Sequence, residues 1–269
     1  MEPPDSTPVE VDLNRPNAAR VYDYYLGGSH NFAADREMAK QAIDMWPDLP
    51  VIIQANRAFL RRAVKHLVAS GVRQFLDLGS GIPTVGNVHE VARAGAEDAS
   101  VVYVDIDSVA VAHSQALLAD TPGVGVVEAD LRHPEQVLRD PKVAEILDLG
   151  QPVAMMMVAV LHFVPDADDP AGVIAAYRDA LAPGSWLAIS HASNDGQGAV
   201  ADDHQRLYQR TATPMTMRSH EQISQMLSGW ELVEPGLARM PLWRPDAADP
   251  TTVRDPDQVP GYAAVGRKA

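Results

Sequence analysis

The sequence predicts an α/β protein: a mostly parallel, seven-stranded sheet with helices on both faces, preceded by an amino-terminal helical cap. Three observations lead there. Three apolar or β-branched runs, over residues 74–78, 100–107 and 125–131, each carry an acid at or near the carboxyl end. From residue 72 to 192, strand-like and helical patterns alternate at the spacing of βαβ units. Ahead of the first run, the periodicity is helical.

Residues 1–16 hold Pro3, Pro4, Pro8 and Pro16 and predict a flexible tail. Asn17 is a candidate cap for a first helix, in which Val21, Tyr22, Tyr25 and Leu26 recur at helical spacing until Gly27 and Gly28 stop it. Helices over 35–45 and 50–70, the latter ending at Gly71, complete a cap over 17–71. Residues 72–269 then form the sheet-bearing part, one compact unit with the cap. A fourth strand is predicted over 152–158 and a fifth over 185–191, with a helix over 170–181 between them. Residues 205–211 and 219–228 read as helices, the second opened by a capping box of Ser219 and Gln222. Residues 230–233 and 262–266 supply two more short strands. Between these last two lies a stretch, 235–260, that includes Pro241, Pro245, Pro250, Pro256 and Pro260. A loop of that length predicts a lid, a binding loop or disorder, with Trp243 and Arg244 as pocket candidates.

The first run ends in Asp77-Leu78-Gly79-Ser80-Gly81. Its glycines let the backbone turn and approach a ligand closely, and the carboxyl end of a first parallel strand is where nucleoside cofactors bind. A dinucleotide site needs a third glycine in G-x-G-x-x-G, where this chain has Thr84 preceded by Pro83. An NAD-type oxidoreductase is therefore disfavoured. Asp105, at the tip of the second run, is the candidate for accepting both ribose hydroxyls, with Asp107 as second choice. Asp130, in the third run, suits an exocyclic amine, with backbone beside it for a ring nitrogen.

The content and order of D-L-G-S-G, V-Y-V-D-I-D and E-A-D-L resemble the class I methyltransferases that use S-adenosylmethionine (SAM), which are Rossmann-like. R-V-Y-D-Y-Y-L-G-G-S-H-N-F-A-A-D-R near the start and G-S-G-I-P-T-V-G-N-V-H-E-V-A after the first strand are similar to one actinobacterial subgroup, the S-adenosyl methyltransferase family, formerly a domain of unknown function. The resemblance spans nearly the whole chain and implies SAM as cofactor, without naming an acceptor. It implies a sixth and an antiparallel seventh strand at 230–233 and 262–266. It also implies a cofactor site of Asp77, Gly79, Ser80, Gly81, Asp105, Ile106, Asp130 and Leu131, with Tyr22, Tyr25, Gly28, His30, Asn31 and Arg57 facing it from the cap. Pro83, where many class I members have glycine, leaves the path of the loop open.

Composition narrows the partners. With 22 basic against 36 acidic side chains the formal net charge is −14, so a nucleic-acid substrate lacks its basic footprint. Arg57, Arg61, Arg62 and Lys65 share a helical face that reads as solvated. There is no cysteine, hence no disulfide, thiolate metal site or cysteine nucleophile. The start of the chain has no signal-peptide pattern, and the longest apolar run, around 153–164, is too short to span a membrane and contains His162. These features predict a cytoplasmic protein with a small-molecule substrate and no membrane partner. Oligomeric state stays open, a homodimer included.

Methyl transfer from a sulfonium asks chiefly for alignment and exclusion of water, with a base only for an acceptor protonated at neutral pH. His162, after the fourth strand, Tyr25 and His30 are the candidates for that role or for substrate contact; His191 ranks below them. Arg57 suits the cofactor's carboxylate, because a guanidinium fork matches it in two parallel bonds. The ten methionines read as core filling. His89-Glu90 and His204 near Asp202 and Asp203 lack metal-site spacing, and no metal is expected. A sensor that binds SAM without transferring methyl is the alternative reading.

Overall fold

The computed structural model describes residues 12–83, 86–246, 253 and 255–269. Thr84, on which the dinucleotide argument turns, and most of the predicted tail lie outside them. Five runs form parallel strands, all but the third with buried side chains on both faces: β1 (Gln74–Leu78), β2 (Ser100–Asp105), β3 (Val124–Glu128), β4 (Ala154–Val158) and β5 (Trp186–Ala192). Near-continuous apolar character is what a parallel sheet covered by helices requires. Among the described residues the sheet has eight strands, not the seven expected. The added one pairs only two residues, Ala238 with Ala263 and Arg239 with Tyr262, too short to leave a periodic signal. The remaining strands are β6 (Glu231–Leu232), this β7 (Ala238–Arg239) and the antiparallel β8 (Gly261–Arg267).

The order β3-β2-β1-β4-β5-β8-β6 puts β2 on one side of β1 and β4 on the other. That reversal opens a crevice at the carboxyl ends of the strands, where open α/β sheets bind ligands. Helices α1 (Ala18–Tyr25), α2 (Ala33–Met45) and α3 (Leu49–Ala69) precede the sheet. Asn17 caps α1 as its residue type predicts, its side chain accepting from Ala19 N. α4 (Val88–Arg93), α5 (Ser108–Leu118), α6 (Pro134–Arg139), α7 (Pro141–Ile146) and α8 (Pro170–Ala180) fill the crossovers. α9 (Gly198–Tyr208) begins well before the predicted 205–211, because Ala201, His204, Leu207 and Tyr208 already form one buried stripe. α10 (His220–Met226) follows, with the expected box: Ser219 Oγ accepts from Gln222 N and Gln222 Oε1 from Ser219 N.

Three apolar clusters organise the molecule. One covers the sheet face under α3 and α4, from Phe59 and Leu67 to Phe75, Val101 and Met156. A second covers the opposite face, including Leu76, Val104, Met155 and Tyr177. The third joins α1 and α2 to α9 through Val21, Tyr25, Met38, Leu207 and Tyr208. The cap over the crevice thus draws on both ends of the sequence, while the second half of α3 belongs to the sheet layer. Arg15 and Pro16 are tied down too: Arg15 donates to Thr211 O, and Pro16 O accepts from Ala212 N.

The proline-rich stretch corrects one expectation. Trp243 is fully buried edge-to-face on Phe59, and Arg62 of α3 donates to Trp243 O and Met240 O. Arg244 donates to Glu234 O and meets the ring of His66. Neither lines the crevice, because this segment runs along α3 and completes its packing layer. The basic face of α3 is likewise not one solvated surface, since Arg62 is buried and Lys65 pairs with Asp246 at 3.3 Å. Trp243→Ala should cost about 3–5 kcal/mol of unfolding free energy in urea titration while leaving cofactor affinity unchanged.

Candidate active site

The two-residue pleat assigns faces. Phe75 belongs to the cluster under α3 and Leu76 and Leu78 to the opposite one, so Asp77 points toward α3; by the same alternation Asp105 and Ser190 share that face. The amino-terminal half of α3 lies over them and brings Asn56 and Arg57 to the crevice. A cavity of about 550 Å³ opens there, lined in part by Asp77, Gly79, Ser80, Gly81, Asp105 and Ile106. Tyr22, Arg57, Asp130 and Leu131 line it as well. The volume lies within the range of small-molecule sites.

Asp105 organises its floor. Oδ2 accepts from Gly81 N at 2.7 Å and Oδ1 from Asp107 N at 2.9 Å, so one carboxylate ties the glycine turn to the end of β2. Asp107, the second-choice ribose acid, caps α5 through Ala110 N, which leaves Asp105 as the stronger candidate. Gly79 has φ +73°, and a Cβ there would lie 2.1 Å from Val160 Cγ2. No side chain fits at this close crossing of the β1 and β4 ends. Ile106 is an apolar residue 52% exposed at the cavity wall, a flat surface suited to a base. Asp130 is more committed than its position in the sequence suggests. Partial burial would raise its pKa, but hydrogen bonds from Arg132 prevail and hold it below the usual carboxylate range.

Burial pushes Asp77 up to about 7, with Arg57 lowering it and Asp105 raising it further. Burial likewise raises Asp105 to about 6, against the amides of Asp107 and Gly81. Their contribution to stability is complete below the ordinary carboxyl range and is lost as pH rises through about 6 and 7. A bound cation would return them to the ionised state.

The cap residues divide. Asn31 does not line the cavity; its amide donates to Asp23 Oδ2 at 2.8 Å and so holds Asp23, which does. Gly28 is needed beside it, because a Cβ there would meet the Asp23 carboxyl within 2.0 Å. His30 is exposed, its ring tilted against that of His113 with centroids 3.6 Å apart, and it does not line this cavity. Sequence reasoning missed Arg20. It is buried, lines the cavity, and pairs through Nε with Asp35 Oδ2 at 3.3 Å, while Nη2 donates to Arg15 O. Its place in an aromatic helix hid it, since only the fold turns it inward.

A second, smaller chamber of about 80 Å³ adjoins the first, the two sharing Ala18, Tyr22, Asn56, Ala159 and Phe163. This wall is braced across the sheet. Ser190 Oγ donates to Asn56 Oδ1 at 2.5 Å, Asn56 Nδ2 donates to Tyr22 Oη at 2.8 Å, and Ser190 Oγ accepts from Ala159 N at 2.9 Å. Ala159 has φ +58°, a strained conformation for a residue with a Cβ, of the kind found at functional sites. Tyr25 and His162 line this chamber, not the larger cavity. Burial, with Tyr208 adding to it, raises the Tyr25 pKa far beyond its ordinary value, so the phenol keeps its proton. His162 is held neutral well below its usual pKa by burial, with His191 and Arg218 adding to it. His191 cannot act as a base: Nδ1 donates to Ala192 O and Nε2 accepts from Arg218 Nη1 at 2.9 Å, so both nitrogens are engaged. His204, absent from the sequence candidates, is buried in this chamber and has neither ring nitrogen hydrogen-bonded.

Fold and crevice define a class I, SAM-dependent methyltransferase. The chain belongs to the S-adenosyl methyltransferase family, whose model matches residues 4–269. Crystal structures of two relatives superpose along almost the full length. One is a DUF574 protein from Streptomyces avermitilis, 41% identical, TM-score 0.91, covering 96% of this chain and 99% of that one. The other is a protein from Thermobifida fusca proposed to be a methyltransferase, 42% identical, TM-score 0.88, covering 98% and 99%. Human N-acetylserotonin methyltransferase in complex with SAM shares the fold at 15% identity and TM-score 0.52, over 95% of this chain and 63% of that one. No curated protein matches the chain at a significant level. No helix among the described residues is long and apolar enough to cross a membrane.

Should Asp77 and Asp105 hold SAM by its ammonium and its ribose hydroxyls, both accept best when ionised, and affinity should be full only well above the higher value, about 7. It should fall as pH drops through 7 and 6, by up to about tenfold per unit for each proton taken up. Calorimetry in buffers of different ionisation enthalpy measures the accompanying proton release.

Proposed function

We propose that the chain methylates a small-molecule nucleophile in the cytoplasm, with SAM in the larger cavity and the acceptor in the chamber behind it. The observation that carries this reading is the shared wall at the end of β4, where the cavity holding the strand-tip acids and a chamber without charged side chains adjoin at Tyr22, Asn56 and Ala159. SAM supplies a methyl carbon whose bond to positively charged sulfur breaks, the electron pair staying on sulfur, as the acceptor's lone pair forms the new bond. The protein's work is alignment and dehydration.

In this reading Asp105 accepts from the ribose hydroxyls with the lone pairs left by Gly81 and Asp107. Ile106 and Leu131 flank the adenine, and Asp130 shares its carboxylate between Arg132 and the adenine edge. Asp77 meets the ammonium of the amino-acid end. Arg57 and Arg20 both line the cavity and are the candidates for its carboxylate. Tyr22 stays protonated through burial and is pinned by Asn56, a rigid donor at the junction. The acidic, cysteine-free composition supports a cytoplasmic site of action and disfavours polyanionic acceptors.

Asp105→Ala should weaken S-adenosylhomocysteine binding by about 1.5–3 kcal/mol in calorimetry. Incubating the protein with methyl-labelled SAM and a fractionated metabolite extract should move label into a small neutral product. Cofactor binding with no transfer to any fraction would instead make the protein a SAM sensor.

A further inference from the structure

The turn after α1 is built around one carboxylate. Asp23 lines the larger cavity and is 2% exposed. Its Oδ2 accepts from Asn31 Nδ2 at 2.8 Å and from His30 N at 2.9 Å, and Arg36 in turn holds Asn31 by donating to its O and Oδ1. Gly28 leaves the carboxyl its room, as no residue with a Cβ could. Among the described residues no donor reaches Oδ1 and no Lys or Arg pairs with Asp23. Oδ1 is not sealed from solvent, so what meets it comes through the cavity. A buried acid with one oxygen engaged and the other open is costly until a ligand donates to it.

Its place on α1 selects the ligand group. Ala18, Tyr22 and Tyr25 turn toward the smaller chamber, whereas Ala19, Asp23 and Leu26, at i, i+4 and i+7, line the larger cavity alone. Ala19 Cβ stands 3.9 Å from where a Cβ on Gly81 would be, so this stripe begins over the turn that Asp105 holds through Gly81 N. Asp23 follows about 6 Å along the helix axis. The next turn lays His30 against His113 of α5, with ring centroids 3.6 Å apart. Burial and His30 lower the His113 pKa while the Asp23 carboxylate opposes them, which sets Asp23 beside α5. Asp23 thus lies between Gly81 and His113, on the side of the crevice where β2 ends in Asp105 and Asp107 caps α5. Each oxygen of Asp105 already accepts one backbone N–H. A ribose bound there presents two hydroxyls, each a donor, to two carboxylates.

We infer that Asp23 is a cofactor-binding residue: its Oδ1 accepts from a ribose hydroxyl of SAM, so that the ribose is gripped between the tip of β2 and the cap. The inference rests on SAM occupying the larger cavity, so the test separates the contact from the occupancy. Asp23→Ala should weaken S-adenosylhomocysteine binding by about tenfold to a hundredfold in calorimetry, the worth of a hydrogen bond to a charged group. Against the 2′,3′-dideoxy analogue of S-adenosylhomocysteine, which lacks both hydroxyls, the variant and the wild type should agree within about twofold, because the pair that the substitution breaks is already gone. No loss for S-adenosylhomocysteine, or an equal loss for both ligands, would overturn the inference, the second by making Asp23 a support of the cap or a partner of another part of the cofactor. If the variant does not fold, a crystal of the wild type with S-adenosylhomocysteine decides. Asp23 Oδ1 within about 3.2 Å of a ribose hydroxyl supports the contact, and any longer separation from both hydroxyls overturns it. Wild-type protein that binds no S-adenosylhomocysteine would overturn the cofactor reading first.

Discussion

The hydrogen bonds from Gly81 and Asp107 to the Asp105 carboxylate are the constraint on which the site depends. One buried side chain at the tip of β2 fixes the path of the turn after β1, and with it the floor of the cavity. Its charge is costly to bury, which pushes its pKa up to about 6. Two backbone donors offset part of that cost and hold the carboxylate in a fixed direction. Asp77, one strand over and on the same face, has less help and stands higher, near 7. The crevice thus gathers two acids whose charge is costly to bury, at the end of the sheet where a cationic ligand would relieve that cost.

The second constraint is α3. Its carboxyl half is core, with Phe59, Ala63, Val64 and Leu67 packed on the sheet. Its amino half passes over the strand ends, where Asn56 joins Ser190 of β5 to Tyr22 of the cap. One rigid rod therefore sets the cofactor cavity, the wall behind it and the height of the cap together. The 238–246 segment packs along the same rod, so its tryptophan serves stability and not recognition.

Much of this was legible in order and type. Strong β-branched runs at βαβ spacing specify parallel strands, and acids at their tips line the larger cavity as their positions predict. Caps such as Asn17 and Ser219 act within one turn of chain and could be read locally. What escaped reading was long-range. β7 is two residues long, Arg20 and His204 acquire meaning only through partners or their absence, and His30 was separated from the site by the direction in which its turn faces.

The sequence by itself determined the fold class, the glycine turn and the acids at the strand tips, because each depends on contacts within a strand and the few residues after it. Only the tertiary structure decided that Trp243 is core, that His191 is locked by Arg218, and that Tyr25, His162 and His204 line one apolar chamber. Those outcomes depend on which distant elements α1, α3 and α9 meet, and burial, which sets both packing and protonation, exists only once they have met.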